Sequence, residues 1–293
     1  MTARARLDPL AVRRALREAG LRPRHARSQN FLADPDVLQA ILDLAEPGAA
    51  AGVLEIGPGL GILTGGLLDS GATVTAVELD HALAAHLRMV FADAIAGGAL
   101  RLIEDDALDQ DLPSLVPPPY RVVANLPYHI TSPILHRLLG SSSPAERLVL
   151  MVQAEVAERI AAPPGRMSYL SVFVQYHAEI EVALRVAPEA FEPAPKVWSA
   201  VVVLRPHAAR GVGSPAGPAQ PVVPHVDDED ALWALVQAGF HERRKMLRNV
   251  LTRQLSVGVA RVDAALAAVG ITGDRRPQTL SVAEWIALYE VLR

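Results

Sequence analysis

Val53-Leu54-Glu55-Ile56-Gly57-Pro58-Gly59-Leu60-Gly61 is a short apolar run ending in three glycines at alternate positions. The apolar part reads as a buried strand, and the glycines as a tight loop that opens a helix over Leu60 to Leu68. Strand, glycine loop and helix together bring backbone N–H groups and a helix N-terminus close to a ligand. The dinucleotide fingerprint G-x-G-x-x-G needs its third glycine at position 62, which is Ile62. Glu78 ends the next strand-like run, 21 residues after Gly57, where a carboxylate reaches ribose hydroxyls. Asp106 follows a third such run and suits a hydrogen bond from an adenine amine. Glu55, just before the loop, disfavours a pyrophosphate and suits a cation. A nucleoside carrying a sulfonium fits these positions better than NAD does.

Working outward, apolar runs and helical patterns alternate. Strand-like segments at Thr73 to Val77, Leu100 to Ile103, Arg121 to Ala124 and Arg147 to Val152 are interleaved with helices over Leu79 to Val90 and Ser132 to Leu139. Two helices precede them, one capped by Asp8 with Pro9 at its first position and Gly20 as its stop, the other over Asp36 to Leu44. This pattern predicts an α/β fold with a mostly parallel, Rossmann-like sheet covered on both faces. Two β-rich runs, 179–187 and 197–205, flank the Pro-rich Phe191 to Pro195 and suit a hairpin at the sheet edge. Residues 206–226 are rich in Pro, Gly and Ala and read as a linker. Beyond it, apolar periodicity gives four helices: Glu229 to Ala238, Arg244 to Gln254, Val259 to Val269 and Val282 to Leu292. The expected division is therefore 1–205, the ligand-binding domain with its N-terminal arm, and 206–293, a linker and small helical domain.

The 293 residues, 51% of them hydrophobic, can bury a large core. The absence of cysteine excludes disulfides, thiolate nucleophiles and cysteine-ligated zinc, and fits a cytoplasmic protein. No apolar run is long enough to span a membrane. A net charge of -4 argues against indiscriminate binding of nucleic acid, yet the basic residues are clustered. Arg4, Arg6, Arg13, Arg14, Arg17, Arg22, Arg24 and Arg27 lie in the first 30 residues. Arg243, Arg244, Lys245, Arg248 and Arg253 form a second cluster. Two basic segments on an acidic body point to a polyanion docked at a defined place, although each alone also reads as a solvated helix face.

Asn125-Leu126-Pro127-Tyr128 follows the strand over Arg121 to Ala124. An adenine N6 is a poor nucleophile because its lone pair is delocalised into the ring. The Asn125 side-chain carbonyl and a backbone carbonyl at Leu126 or Pro127 can hold its two hydrogens and favour a tetrahedral nitrogen, ready for in-line attack on a methyl carbon. Pro127 fixes the local turn, and Tyr128 and Phe191 are placed to sandwich the base. The other readings are a core aromatic for Tyr128 and a staple of the edge hairpin for Phe191. No metal is required, and His81 and His86, five apart, do not share a helix face.

These residues resemble the small-subunit (16S) ribosomal RNA adenine N6-dimethyltransferases, the kasugamycin-sensitivity family. The likeness is carried by Ser28-Gln29-Asn30-Phe31-Leu32, the Val53-to-Gly61 run, Val77-Glu78-Leu79-Asp80, Asp106-Ala107-Leu108, Asn125-Leu126-Pro127-Tyr128, Phe191-Glu192-Pro193-Ala194-Pro195-Lys196-Val197 and Phe240 through Leu247. The resemblance implies a class I methyltransferase fold with S-adenosylmethionine held by Asn30, Leu32, Gly57, Gly59, Glu78, Asp106 and Asn125. It implies dimethylation of two adjacent adenines in a hairpin near the 3′ end of 16S rRNA, by a monomer acting on the assembling 30S subunit. The target base must be splayed from a loop, and Arg24, Arg27, Arg243, Arg244, Lys245 and Arg248 would bind phosphates. Departures from the family pattern are Ser28 where Gly is usual, His129 where Asn is frequent, and a longer linker.

Two alternatives stand beside this reading. A 23S rRNA adenine methyltransferase of the macrolide-resistance type shares the cofactor site but more often has Ile at the position of Leu126. A non-catalytic assembly factor would keep the fold and bind RNA without needing Asn125, Tyr128 and Glu78.

Overall fold

The computed structural model describes residues 7–23, 29–48, 52–207, 226–242 and 244–293. Arg24, Arg27, Ser28, Arg243 and nearly all of the linker lie outside them. The chain divides into two compact units, Met1–Ala157 with Glu179–Pro206, and Glu158–Ala178 with His207–Arg293.

The first unit runs α1 (Pro9–Glu18), β1 (Phe31–Leu32), α2 (Pro35–Ala45), β2 (Gly52–Ile56), α3 (Ile62–Asp69), β3 (Thr73–Glu78), α4 (His81–Val90), α5 (Ala92–Ala96), β4 (Leu100–Glu104), β5 (Tyr120–Asn125), α6 (Thr131–Leu139) and β6 (Arg147–Gln153). Helix α7 (Ala154–Ile160) crosses from this unit into the second, which continues with α8 (Tyr169–His177). The chain returns to the first unit for β7 (Ala178–Val186), β8 (Phe191–Glu192) and β9 (Ser199–Pro206), and ends with α9 (Glu229–Phe240), α10 (Leu247–Gln254), α11 (Val259–Ala268) and α12 (Val282–Leu292). The seven-stranded sheet has the order β4-β3-β2-β5-β6-β9-β7. Its first five strands are parallel, and β9 runs antiparallel to β6.

The parallel strands are apolar because helices cover both their faces. Val53, Val74, Val123, Val149 and Val201 pack into one core with Leu38, Ile41 and Leu42 of α2 and Leu63 and Leu67 of α3. A second core, within the helical unit, centres on Trp285 and gathers Tyr176, Leu235, Leu247, Leu266 and Leu288. Helix α1 buries Val12 and Leu16 in a small cluster with Phe31, Leu60 and Leu83. The Asp8 carboxylate accepts the Ala11 N–H at 2.7 Å and caps this helix.

Three features differ from the sequence expectation. The segment Glu158–Ala178 clusters with the C-terminal helices instead of belonging to a domain spanning 1–205. It holds α8, in which Leu170, Ser171, Val172, Phe173, Val174 and Tyr176 are all buried. Burial nearly all round erases the apolar stripe that marks a surface helix. The strands β9 and β7 do lie at the sheet edge, but β8 between them pairs with β1 in a separate two-stranded ladder, Phe31 opposite Glu192 and Leu32 opposite Phe191. Helix α10 starts at Leu247, so Arg244 and Lys245 stand in the turn before it and not on its face.

Candidate active site

One cavity in the first unit collects residues from Gln29 to Phe191 at the C-terminal ends of β2, β3 and β5, where open α/β sheets bind ligands. The glycine loop forms its floor. Gly57, Gly59 and Gly61 have φ of 70°, 60° and 80°, values that L side chains resist. A Cβ at Gly61 would lie 2.4 Å from Phe91 Cε2 and 2.8 Å from Leu87 Cδ2, so a side chain there would also have to displace those two. The loop stays close to β3 through Gly57 N–H donating to Val77 O at 2.9 Å.

Glu78 is buried, and its carboxylate accepts the Gly59 N–H at 3.0 Å and the Asp80 N–H at 2.8 Å. It therefore shapes the loop as well as lining the cavity. Glu55, 1% exposed, accepts the Thr64 hydroxyl at 2.7 Å. Burial, reinforced by the nearby Glu78, pushes the Glu55 carboxyl up to about 8 against that hydrogen bond. Asp106 is half-buried and accepts the Leu108 N–H at 2.8 Å.

Asn125 ends β5. Its Nδ2 donates to the Asn30 carbonyl at 3.3 Å, which fixes the amide plane. The neighbouring Leu126, which also lines the cavity, is 1% exposed. The Pro127 carbonyl already accepts the Ile130 N–H at 3.1 Å and the Thr131 hydroxyl at 3.5 Å. The Tyr128 hydroxyl lies 2.8 Å from Ser199 Oγ, and burial pushes its pKa up, so the phenol stays protonated. Phe191 reaches the cavity wall but is 2% exposed and packs in the sheet core, presenting no free face as placed.

The cavity brings together every expected cofactor and base-site residue: Asn30, Leu32, Gly57, Gly59, Glu78, Asp106, Asn125, Leu126, Pro127, Tyr128 and Phe191. Gln29, Leu60, Asp105 and His129, to which the sequence assigned no binding role, also line it, and Thr64 and Ser199 hold Glu55 and Tyr128 from outside the motifs. Ser199 had no local signal, because its role arises from a contact 71 residues away in sequence. Among the described residues, no group of three or more His, Asp or Glu is placed to hold a metal, and no helix is long and apolar enough to cross a membrane.

The basic residues behave unequally. Arg248, expected to bind phosphate, is committed to Asp263 through two contacts, 2.5 Å from Nε and 2.7 Å from Nη2, which lower the Asp263 pKa. Arg253 pairs with Glu242 at 2.8 Å, and Arg13 pairs with Glu192 of β8 at 2.8 Å. Arg244 and Lys245 are exposed and have no ion-pair partner among the described residues.

Residues 20–293 match the family model described as ribosomal RNA adenine dimethylase. The chain belongs to that family. It is 41% identical over 291 residues to "Ribosomal RNA small subunit methyltransferase A" of Moorella thermoacetica, with 95% of each chain covered. It is 42% identical to the protein of the same name from Thermosynechococcus vestitus, covering 93% of this chain and 98% of that one. Among solved structures, the 23S rRNA methyltransferase ErmE is 29% identical with a TM-score of 0.67, covering 90% of this chain and 99% of that chain. A dimethyladenosine transferase from Plasmodium falciparum, 23% identical with a TM-score of 0.71 over 88% and 95% of the two chains, shares the fold. The dimethylase family implies a methyl donor of the S-adenosylmethionine type. The buried Glu78 carboxyl group in the lining of the cavity fits a cationic nucleoside of that kind.

Proposed function

We propose that this chain dimethylates the N6 amines of two adjacent adenines in a hairpin near the 3′ end of 16S rRNA, with S-adenosylmethionine as donor, on the assembling small subunit in the cytoplasm. The observation that carries this reading is the anchored amide of Asn125. One N–H of its Nδ2 is bonded to the Asn30 carbonyl, and Asn125 lines the cavity at the end of a strand, so its Oδ1 is the acceptor proposed for the target amine. The names of the relatives at 41–42% identity support the small subunit as the substrate.

When bound, the donor supplies an electrophilic methyl on a sulfonium. The protein's part is to hold and orient. The Asn125 amide oxygen accepts one N6 hydrogen. Of the two backbone candidates, the Leu126 carbonyl is the better second acceptor, because that of Pro127 is already bonded within the chain. Together they localise the nitrogen lone pair toward the cavity. Once a nitrogen carries one methyl it has a single hydrogen, so a second transfer to it uses one acceptor only. Tyr128 offers its ring to the base, worth on the order of 1–3 kcal/mol, while its hydroxyl is tethered to Ser199. Glu78 and Asp106 are set for the ribose and adenine of the donor.

The ErmE likeness supports a second reading, a large-subunit adenine as the target. Its identity of 29% is well below the 41% of the small-subunit relatives. Transfer of labelled methyl to unmodified small and large subunits, offered separately, discriminates the two: label in small-subunit RNA supports the proposal, and label confined to large-subunit RNA replaces it.

A further inference from the structure

We infer that Trp198 is a stacking platform for a nucleotide flanking the target adenine, an inference that rests on the function proposed above. The cavity opens at the C-terminal ends of the parallel strands. Because β9 is antiparallel to β6, with Ser199 opposite Gln153, its first residue lies at that same end of the sheet. Ser199 Oγ holds the Tyr128 hydroxyl at 2.8 Å. Trp198 is the residue before it, one peptide step of about 3.8 Å away. Its carbonyl accepts the Ala154 N–H at 2.9 Å, which pins its backbone to the start of α7.

The side chain is nevertheless out in solvent. Trp198 is 52% exposed, whereas the nearby Phe191 and Leu126 are buried. An indole exposed to this extent loses the burial that normally justifies a tryptophan. It is flanked by exposed Lys196 and by Val197, 36% exposed, and is not among the residues that line the cofactor cavity. An exposed ring with an exposed cation two residues away in sequence suits single-stranded nucleic acid, which binds with bases on rings and phosphates on ammonium groups. The target base must leave its stack to reach Asn125, which deprives the adjoining base of one stacking face. Trp198 gives that base a replacement surface. Since Phe191 presents no free face, Tyr128 is left for the target base and Trp198 for the adjoining one.

The test compares wild type, Trp198→Ala and Trp198→Phe on unmodified small subunits, reading the dissociation constant by filter binding and KM and kcat by methyl transfer. The expected result is that Trp198→Ala raises both Kd and KM about ten-fold with a small change in kcat, and that Trp198→Phe restores most of the loss. Affinity for S-adenosylmethionine, read by calorimetry, stays at the wild-type value in both variants. Wild-type Kd and KM in Trp198→Ala would overturn the inference. So would a loss shared by cofactor binding, which would mark a structural role. If wild type transfers no methyl to the subunit, the proposed function fails instead, and the Kd comparison still decides for or against Trp198.

Discussion

Asn125 Nδ2 donates to the Asn30 carbonyl at 3.3 Å, joining a strand end of the sheet to the segment just before β1. In the proposed function this bond orients the amide that meets the target amine. An aspartate at position 125 cannot donate it and would set a carboxylate against the Asn30 carbonyl. Asn125→Asp is therefore expected to lose at least 100-fold in kcat, comparable to removing one oriented donor or acceptor from a reacting centre. Single-turnover methyl transfer checks this; a kcat within a few-fold of wild type would show that the anchoring bond is dispensable.

Glu78 serves two masters, since its oxygens hold the Gly59 and Asp80 N–H groups while lining the donor cavity. Glu78→Ala leaves both N–H groups without their acceptor and the loop with one tie to β3 fewer, the Gly57 N–H bond to Val77 O remaining. We expect S-adenosylmethionine affinity, measured by calorimetry, to fall at least ten-fold. Glu78→Gln, which keeps one acceptor oxygen, should fall in between. Unchanged affinity in the alanine variant would remove Glu78 from the donor site.

Glu55 makes stability depend on pH. Its carboxyl is pushed up to about 8 in the folded chain, from an ordinary value of 4.5. The folded protein thus retains a proton that the unfolded chain releases as pH rises above the ordinary value. The stability linked to this group is full below that value and is lost as pH climbs through about 8. Glu55→Gln has nothing to titrate there. Its Tm should consequently decline less than that of wild type between about pH 5 and pH 8.5, in scans without cofactor. Parallel declines would mean that Glu55 is ionised in the folded state.

Much of this was legible in residue types that impose their own backbone. Glycines at positive φ announced the loop, and the apolar runs of β2, β3, β5 and β6 announced a buried parallel sheet. The motif Asn125 to Tyr128 sits where a strand end must deliver it. What stayed hidden depends on contacts distant in sequence. The Tyr128–Ser199 tether, the two-residue pairing of β1 with β8 and the Arg248–Asp263 ion pair have no local signature. Helix α8 escaped because it is buried almost all round and carries no stripe to read.

The ion pair changes the expected RNA surface. Reversing Arg248 to Glu confronts Asp263 with a like charge, and should lower the Tm of the chain more than it alters the salt dependence of subunit binding. Reversing Arg244 and Lys245, both exposed and unpaired among the described residues, should act the other way. If each meets one phosphate, log Kd against log salt should flatten by about one for each residue. Filter binding across a salt series reads this directly, and an unchanged slope would move the phosphate contacts elsewhere.

The central claim is that Asn125 presents its amide oxygen to an adenine N6. It is tested most directly by digesting small-subunit RNA, after reaction with wild type or Asn125→Ala, to nucleosides and separating them by mass. Wild type should yield N6,N6-dimethyladenosine. Asn125→Ala should yield none while its affinity for S-adenosylmethionine falls far less. Dimethyladenosine formed by the variant at a rate near that of wild type would contradict the account.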